Sequence, residues 1–287
     1  MRVRREQAPR RIRLGDYLHR SIVPTHPHWS THVPELPEVE RAVVELRRHV
    51  VGRRIASLDL HHPALARRMT LRSRRSLAGV RIVAVRRRGK HQLIDLEDGR
   101  ILHAHFRMTG DWATGRSAAT ARYARATLTL DDGSVVILDD PRALSTIQIT
   151  KRGVDPAAGI GPDADDPSLD ADWMVGRIGQ RRAAIKVVLL DQGVVAGIGN
   201  IYAAESLWRA RIDPRRPASS LMPSELTRLL AGIRAVLHKA SGTRYADGGG
   251  RFEVYDRAGK PCRRCRMPIA RIIQGGRSTY WCPDCQR

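Results

Sequence analysis

"GVRIVAVRRRGKHQLIDLEDGRILHAHF", Gly79 to Phe106, decides the fold of the first half of the chain. Short runs rich in Val, Ile and Leu succeed one another there, and Asp98-Gly99 has the composition of a tight hairpin turn. "RATLTLDDGSVVILDD", Arg125 to Asp140, repeats the pattern around Asp132-Gly133. Strands that follow one another without intervening helices predict an antiparallel sandwich or barrel up to about residue 150.

Working outward, "EVERAVVELRRH" from Glu38 to His49 places Val39, Val43 and Leu46 at helical spacing, continued by Val50. Its acids come early and its bases late, matching the helix dipole, and Gly52 ends it. On the other side, "GVDPAAGIGPDADDPSLD" (Gly153 to Asp170) is rich in Gly, Pro and Asp and reads as a linker. The pattern then turns helical in "RRAAIKVVLLDQ", "NIYAAESLWRARI" and "MPSELTRLLAGIRAVLHKAS", the last with Ser224 as expected N-cap before Glu225. "SGTRYADGGGR" is a flexible break, and a hairpin segment built round cysteines follows from Phe252. The expected class is α+β multidomain. An extension (1–33) precedes a β-sandwich with an N-terminal helix (34–152), a linker (153–170), a helical domain (171–250) and a cysteine hairpin (251–287).

Charge narrows the partners. The 287 residues hold 51 basic against 29 acidic side chains, a net +22, and all but five of the bases are arginine; Lys90, Lys151, Lys186, Lys239 and Lys260 are the exceptions. A field of that sign favours a polyanion. No apolar run approaches the roughly 18 residues that span a bilayer. Nor is any basic amphipathic helix apolar enough to lie on one, so nucleic acid is the better partner. Arginine excess from GC-rich codon usage is the bland alternative. The first 33 residues carry seven arginines and no apolar core of a secretory signal.

Cys262-x-x-Cys265, sixteen residues, then Cys282-x-x-Cys285 is a four-thiolate zinc pattern. Each pair bends round one side of a tetrahedral ion, and four protein ligands leave no open position, so one structural Zn2+ is expected. Two disulfides within such small loops would stabilise little. Arg263, Arg264, Arg266, Arg271 and Arg277 give this hairpin a basic edge suited to phosphates, against the plainer reading of a solvated surface. "LLDQGVVAGIGNIYAAESLW" sets Gly193, Gly197 and Gly199 between two helical runs. Asn200 is the expected cap of the second, aiming free N–H groups at an anion. A simple helical corner is the competing reading.

Taken in order, "PELPEVE" (34–40), "GK" (89–90), "HFRMTG" (105–110), "DDPR" (139–142), "GIGNIYAAESLW" (197–208) and the paired CxxC resemble the formamidopyrimidine-DNA glycosylase and endonuclease VIII family from Pro34 to Arg287. "PELPEVE" favours the formamidopyrimidine branch. The resemblance implies a β-sandwich, a helix-two-turn-helix domain and a zinc hairpin in a monomer. That enzyme would excise oxidised bases from double-stranded DNA and nick the abasic site. Its setting would be a bacterial cytoplasm, at the nucleoid.

The resemblance assigns catalysis to Pro34, Glu35 and Lys90. A free N-terminal amine has a pKa near 8, about two units below lysine, so more of it is nucleophilic at neutral pH. Proline's secondary nitrogen would attack C1′ and form an iminium that stays cationic, the electron sink for eliminating both phosphates. Glu35 is the natural proton donor to the ring oxygen and departing base. Lys90, His105, Asn200 and Arg277 fall where the family binds phosphates. Met108 and Arg142 match its residues that fill the gap left by a flipped nucleotide, and Glu205 falls near the pocket.

Three departures stand out. Leu144 occupies the place of an expected aromatic wedge, and leucine can part base pairs but cannot stack. The stretch from Gly242 to Arg251 is shorter than the loop that closes over 8-oxoguanine in the formamidopyrimidine branch, which leans the lesion preference towards ring-opened purines or oxidised pyrimidines. Finally, Pro34 is an amide while residues 1–33 precede it. Initiation at Val33 through a GTG codon followed by methionine removal, or proteolysis of the tail, would free it. The rival readings are a catalytically inactive damaged-DNA-binding protein, an endonuclease VIII-like enzyme and a zinc-ribbon RNA-binding protein.

Overall fold

The computed structural model describes residues 33–241 and 252–287, so the expectations for the leading tail and the shortened loop fall outside the described residues. Helix α1 (Leu36–Val50) begins two residues before the periodicity suggested, because Leu36 and Pro37 pack into the interior. Gly52 lies beyond its end at φ +86°, the left-handed region that glycine adopts freely.

Strands β1 (Ile55–Leu60), β6 (Ala124–Leu130), β7 (Val135–Asp139) and β5 (Asp111–Thr114) form one antiparallel sheet in the order β1-β6-β7-β5. The second sheet runs β2 (Ile82–Arg88), β3 (His91–Leu96), β4 (Ile101–His105) and β8 (Thr146–Ile149). Their inner faces share a core of Leu58, Ile82, Ile94, Leu102, Leu128 and Leu138, which α1 joins through Val39, Val43 and Leu46. Two short helices, α2 (Pro63–Ala66) and α3 (Leu71–Arg75), interrupt the expected strand succession. At four and five residues they are too brief to show a helical period.

The second half packs α4 (Ala171–Ile178), α5 (Ile185–Leu189), α6 (Asn200–Ala210) and α7 (Pro223–Ser241) round Tyr202, Leu207, Ile212, Leu229 and Ile233. Helix α7 starts at Pro223, not after a Ser224 cap. Proline at the first position has φ preset and no N–H to satisfy, and the Met222 N–H donates to Glu225 Oε2 at 3.0 Å. Strands β9 (Ala270–Gln274) and β10 (Arg277–Trp281) make the terminal hairpin, turning through Gly275 and Gly276.

Residues 153–170 are held to the sandwich. Arg87, 8% exposed, bridges Glu40, Asp163 and Asp165 at 2.6–2.8 Å. Asp163 Oδ1 also accepts the Gly89 N–H at 2.6 Å. A Cβ on Gly89 would stand 3.1 Å from the Ala196 Cβ, so glycine lets the β2–β3 turn press against the helical half and carry Lys90 into the junction.

Candidate active site and DNA-facing surface

The Glu35 side chain crosses from the first residues of the sandwich to the N-terminus of α6. Its carboxylate accepts N–H donors from Gly199 (2.8 Å), Ile201 (2.9 Å) and Tyr202 (3.2 Å). Gly199, not Asn200, holds the cap position, and the N–H groups expected to await a phosphate are taken by this carboxylate. A Cβ on Gly199 would lie 2.3 Å from Glu35 Cδ, so the approach requires glycine. Three donors and a helix dipole favour the anion, as does nearby Lys90, yet complete burial outweighs them and pushes the Glu35 pKa up to about 7.

Glu38, one turn on, receives the Glu35 N–H at 3.0 Å and the Tyr202 hydroxyl at 2.7 Å; burial raises its pKa as well. Lys90 donates to the Ile198 carbonyl at 3.0 Å, and burial lowers its pKa against the pull of Glu35. Lys186 on α5 lies in the same field. Its amine is buried, has no hydrogen-bond partner among the described residues, and is pushed down to about 8 by burial and by Arg277. Glu35, next to Pro34 in the chain, thus shares its field with a second carboxyl and two lysines, and the proton affinities of all four have moved towards neutrality, a pattern of acid–base sites. Sequence reasoning missed Glu38, Tyr202 and Lys186. A lysine in a chain whose bases are nearly all arginine was the available signal for the last.

Met108, Arg142 and Leu144 are exposed and share one rim. Asp140 assembles it, accepting from the Thr109 hydroxyl and from the backbone of Arg142 (3.1 Å), Leu144 (2.8 Å) and Ser145 (2.7 Å). Burial works to raise the Asp140 pKa, but these donors hold it below the usual carboxylate range. The Ser145 hydroxyl ties the loop to Phe106 O at 3.0 Å, so the 105–110 turn and the 140–145 loop move as one. His105, at the end of β4, accepts the Arg107 N–H on Nδ1 at 2.9 Å.

Asn200 Nδ2 donates to Ser278 O at 3.0 Å, fastening α6 to β10 and to exposed Arg277 at its start. Glu205, a turn further along α6, turns away from Glu35. It accepts from the backbone of Glu253, Val254 and Tyr255, each at 2.9 Å, and so anchors the root of the hairpin. Arg264 stacks over Trp208 at 4.0 Å and donates to its carbonyl at 3.3 Å, so this exposed arginine is tethered to α6.

The four cysteine sulfurs all lie within 4.8 Å of one another, with Cys265 and Cys282 at 3.4 Å and Cys262 and Cys285 at 4.0 Å. Those spacings bracket the edge of about 3.8 Å that a zinc tetrahedron with 2.3 Å bonds requires, and are far beyond a disulfide. Backbone N–H groups of Arg264 and Cys285 point at Cys262 and Cys282 sulfurs at 3.4 Å, the knuckle bonds that favour thiolates. The site fits one structural Zn2+.

Family models match three consecutive stretches: the formamidopyrimidine-DNA glycosylase N-terminal domain over 33–147, its H2TH domain over 160–246, and the zinc finger found in FPG and IleRS over 259–287. The chain belongs to the formamidopyrimidine-DNA glycosylase family. The enzyme of that name from Chloroflexus aurantiacus is 39% identical over 273 residues, 88% of this chain and 98% of the relative. The one from a Nocardioides species is 37% identical over 283 residues, covering 88% and 94%. Among solved structures, the MutM (Fpg) protein of Thermus thermophilus superposes with TM-score 0.76 at 35% identity, covering 88% of this chain and 98% of that one. Lactococcus lactis Fpg bound non-covalently to DNA containing an AP site does so with TM-score 0.80 at 30% identity, covering 88% and 99%. This family member is a base-excision DNA glycosylase and abasic-site lyase with one structural zinc. Among the described residues no helix is long and apolar enough to cross a membrane.

Proposed function

We propose that the chain excises oxidised bases from double-stranded DNA through Pro34 as nucleophile and Glu35 as proton donor, acting as a monomer on nucleoid DNA in the bacterial cytoplasm. The observation that carries this is the Glu35 carboxyl, buried at the N-terminus of α6 directly after Pro34, with a pKa near 7. An acid of that strength is half protonated at neutral pH, where proton transfer is most effective. It protonates the sugar ring oxygen or the leaving base as the Pro34 nitrogen bonds to C1′. The resulting iminium acidifies the C2′–H; as that proton passes to water, the electrons it leaves expel the 3′ phosphate, and a second elimination expels the 5′ phosphate. Lys90 and Lys186, near enough to feel Glu35, steady the negative charge that passes through the pocket.

Lys90, His105, Asn200 and Arg277 receive the phosphates flanking the flipped nucleotide; Met108, Arg142 and Leu144 fill the gap it leaves. Glu205 serves the pocket at one remove, through the hairpin it anchors. The working division is a sandwich from 34 to 152, a linker to 170, the helical domain to 250 and the zinc hairpin beyond. A start at Val33, or removal of the tail, frees Pro34; the relatives are covered almost end to end by 88–89% of this chain, which supports that reading.

Borohydride trapping on abasic duplex tests the chemistry. Protein beginning at Pro34 should yield a covalent adduct, lost on Pro34→Gly or when Val33 is retained as a blocking residue. Native protein that keeps residues 1–33 and still nicks abasic DNA would overturn it. An excision panel of 8-oxoguanine, formamidopyrimidine and thymine glycol duplexes separates the formamidopyrimidine reading from the endonuclease VIII-like one, which the short 242–251 stretch favours.

A further inference from the structure

We propose that His91 is a second phosphate-binding residue of the DNA face, presenting a neutral N–H donor that His103 and Gln148 hold in place. The inference rests on the reading of His105 as a backbone contact.

The β3–β4 register sets His91 directly opposite His105, one residue after Lys90. The His91 ring meets His105 edge-on, with centroids 5.0 Å apart and planes at 86°, and stacks on His103 at 5.0 Å and 18°. The proton order in this cluster follows from one amide. With the amide placed so that Gln148 Nε2 faces His103 Nδ1 at 3.3 Å, Gln148 donates, which assigns the His103 proton to Nε2. That Nε2 is 2.8 Å from His91 Nδ1, which is therefore an acceptor, leaving the His91 proton on Nε2. His105 Nδ1 is likewise occupied by the Arg107 N–H, so its proton is also on Nε2. Neither Nε2–H has a protein acceptor among the described residues. Two adjacent imidazoles, both partly exposed, thus each offer one free donor next to Lys90.

The surroundings keep the cluster uncharged. Burial, Arg107 and Arg88 lower the His91 pKa, opposed only by Asp155 and Asp163. Burial, His91 and Arg107 take His103 to about 4, and burial with His91, Arg107, His103 and Lys90 takes His105 to about 3. A neutral donor to an anionic oxygen adds direction and affinity without releasing counterions.

The test measures Kd for a duplex carrying a tetrahydrofuran abasic analogue, across salt concentration, for the full chain and its variants. His91→Phe should keep the ring's bulk yet bind about 10–150-fold more weakly, the range for losing a hydrogen bond to a charged group. Its salt slope should be unchanged. His91→Gln, which restores an N–H near the Nε2 position, should recover part of the loss. His103→Phe and Gln148→Met should each cost less than His91→Phe, and 15N imidazole shifts should show His91 protonated on Nε2 from pH 6 to 8 in the parent. Wild-type affinity in His91→Phe would overturn the proposal. So would a slope that falls by about 0.9, the signature of a cationic contact. His105→Phe separates the levels: if it too binds normally, the DNA-face reading fails, whereas a loss confined to His105→Phe removes only the role of His91.

Discussion

The zinc hairpin and the Glu35 pocket are joined by one helix but encoded in opposite ways. The hairpin's four ligands lie within 24 residues, at spacings that themselves dictate the geometry, and the structure brings their sulfurs within 4.8 Å. The pocket draws Glu35 and Glu38 from the start of the sandwich, Lys90 from a β-turn, Lys186 from α5, and backbone donors from residues 199–202. Helix α6 spans both: its N-terminus grips Glu35, its Asn200 holds β10, and its Glu205 holds the hairpin root. A local site is fixed by covalent proximity and the metal; an assembled one is fixed by the whole fold. Perturbing either should therefore give different signatures.

The largest expected effect is chemical. Glu35→Gln keeps the side chain's size but removes the proton it gives, so base excision should fall by about 10²–10⁴-fold. Nicking of a preformed abasic site should fall far less, because in the proposed mechanism Pro34 still forms its iminium there. Single-turnover assays on lesion and abasic duplexes check the split, and equal losses in both would show that the variant damaged the pocket itself.

Breaking the local site should act on binding. Zinc chelation or Cys282→Ser should release β10, and with it Asn200's partner Ser278 and Arg277. DNA affinity should then drop by roughly 10²-fold, as several phosphate contacts are lost together. Structural zinc contributes about 10–16 kcal/mol to small zinc domains, so the hairpin should melt while the sandwich stays folded. A chelated protein that binds DNA at wild-type affinity would show that the hairpin's basic edge touches nothing.

The pocket alone should give a particular pH profile. In the proposed mechanism Glu35 acts protonated, so its active fraction falls about tenfold per unit as pH rises beyond about 7, and excision itself declines once Pro34 is fully deprotonated above about 8. Pro34 acts unprotonated, with an amine pKa near 8, so the rate should also decline on acidification below that value. The two limbs produce a narrow optimum between about 7 and 8. Were the Glu35 pKa the ordinary 4.5, the two limbs would instead enclose a low, nearly flat plateau from about pH 4.5 to 8, with no optimum near neutrality. The alkaline limb should vanish in Glu35→Gln, measured on whatever excision remains.

The same contrast explains what could be read from the residues. Strands, α1, the helical half and the zinc ligands follow from period and spacing, which are properties of neighbouring residues. Pro34 and Glu35 emerged only through the resemblance, since a Pro-Glu pair before a helix is otherwise plain punctuation. The burial that lifts the Glu35 pKa depends on α6, more than 160 positions away, and no local pattern announces it. Gly199 caps α6 one residue before Asn200, and a glycine in that position leaves no side-chain signature. Asp140 stands inside the quoted "DDPR", but its function is to collect donors from two loops, which shows only once both are folded.

The smallest expected effect concerns that rim. Ala143 adopts φ +54° just before Leu144, and Asp140 clamps the Leu144 N–H, so the exposed side chain is presented on a stiff loop. A leucine wedge parts base pairs by volume alone, whereas a phenyl ring adds stacking worth about 0.5–1.5 kcal/mol. Leu144→Phe should therefore tighten binding to abasic duplex about two- to tenfold without altering the pH profile. It should also sharpen discrimination between bases opposite the lesion, because stacking depends on the partner while volume does not. A panel of four opposite bases reads this directly. A uniform gain across all four would mean that the ring merely buries more surface, and that opposite-base preference is set by Arg142 instead.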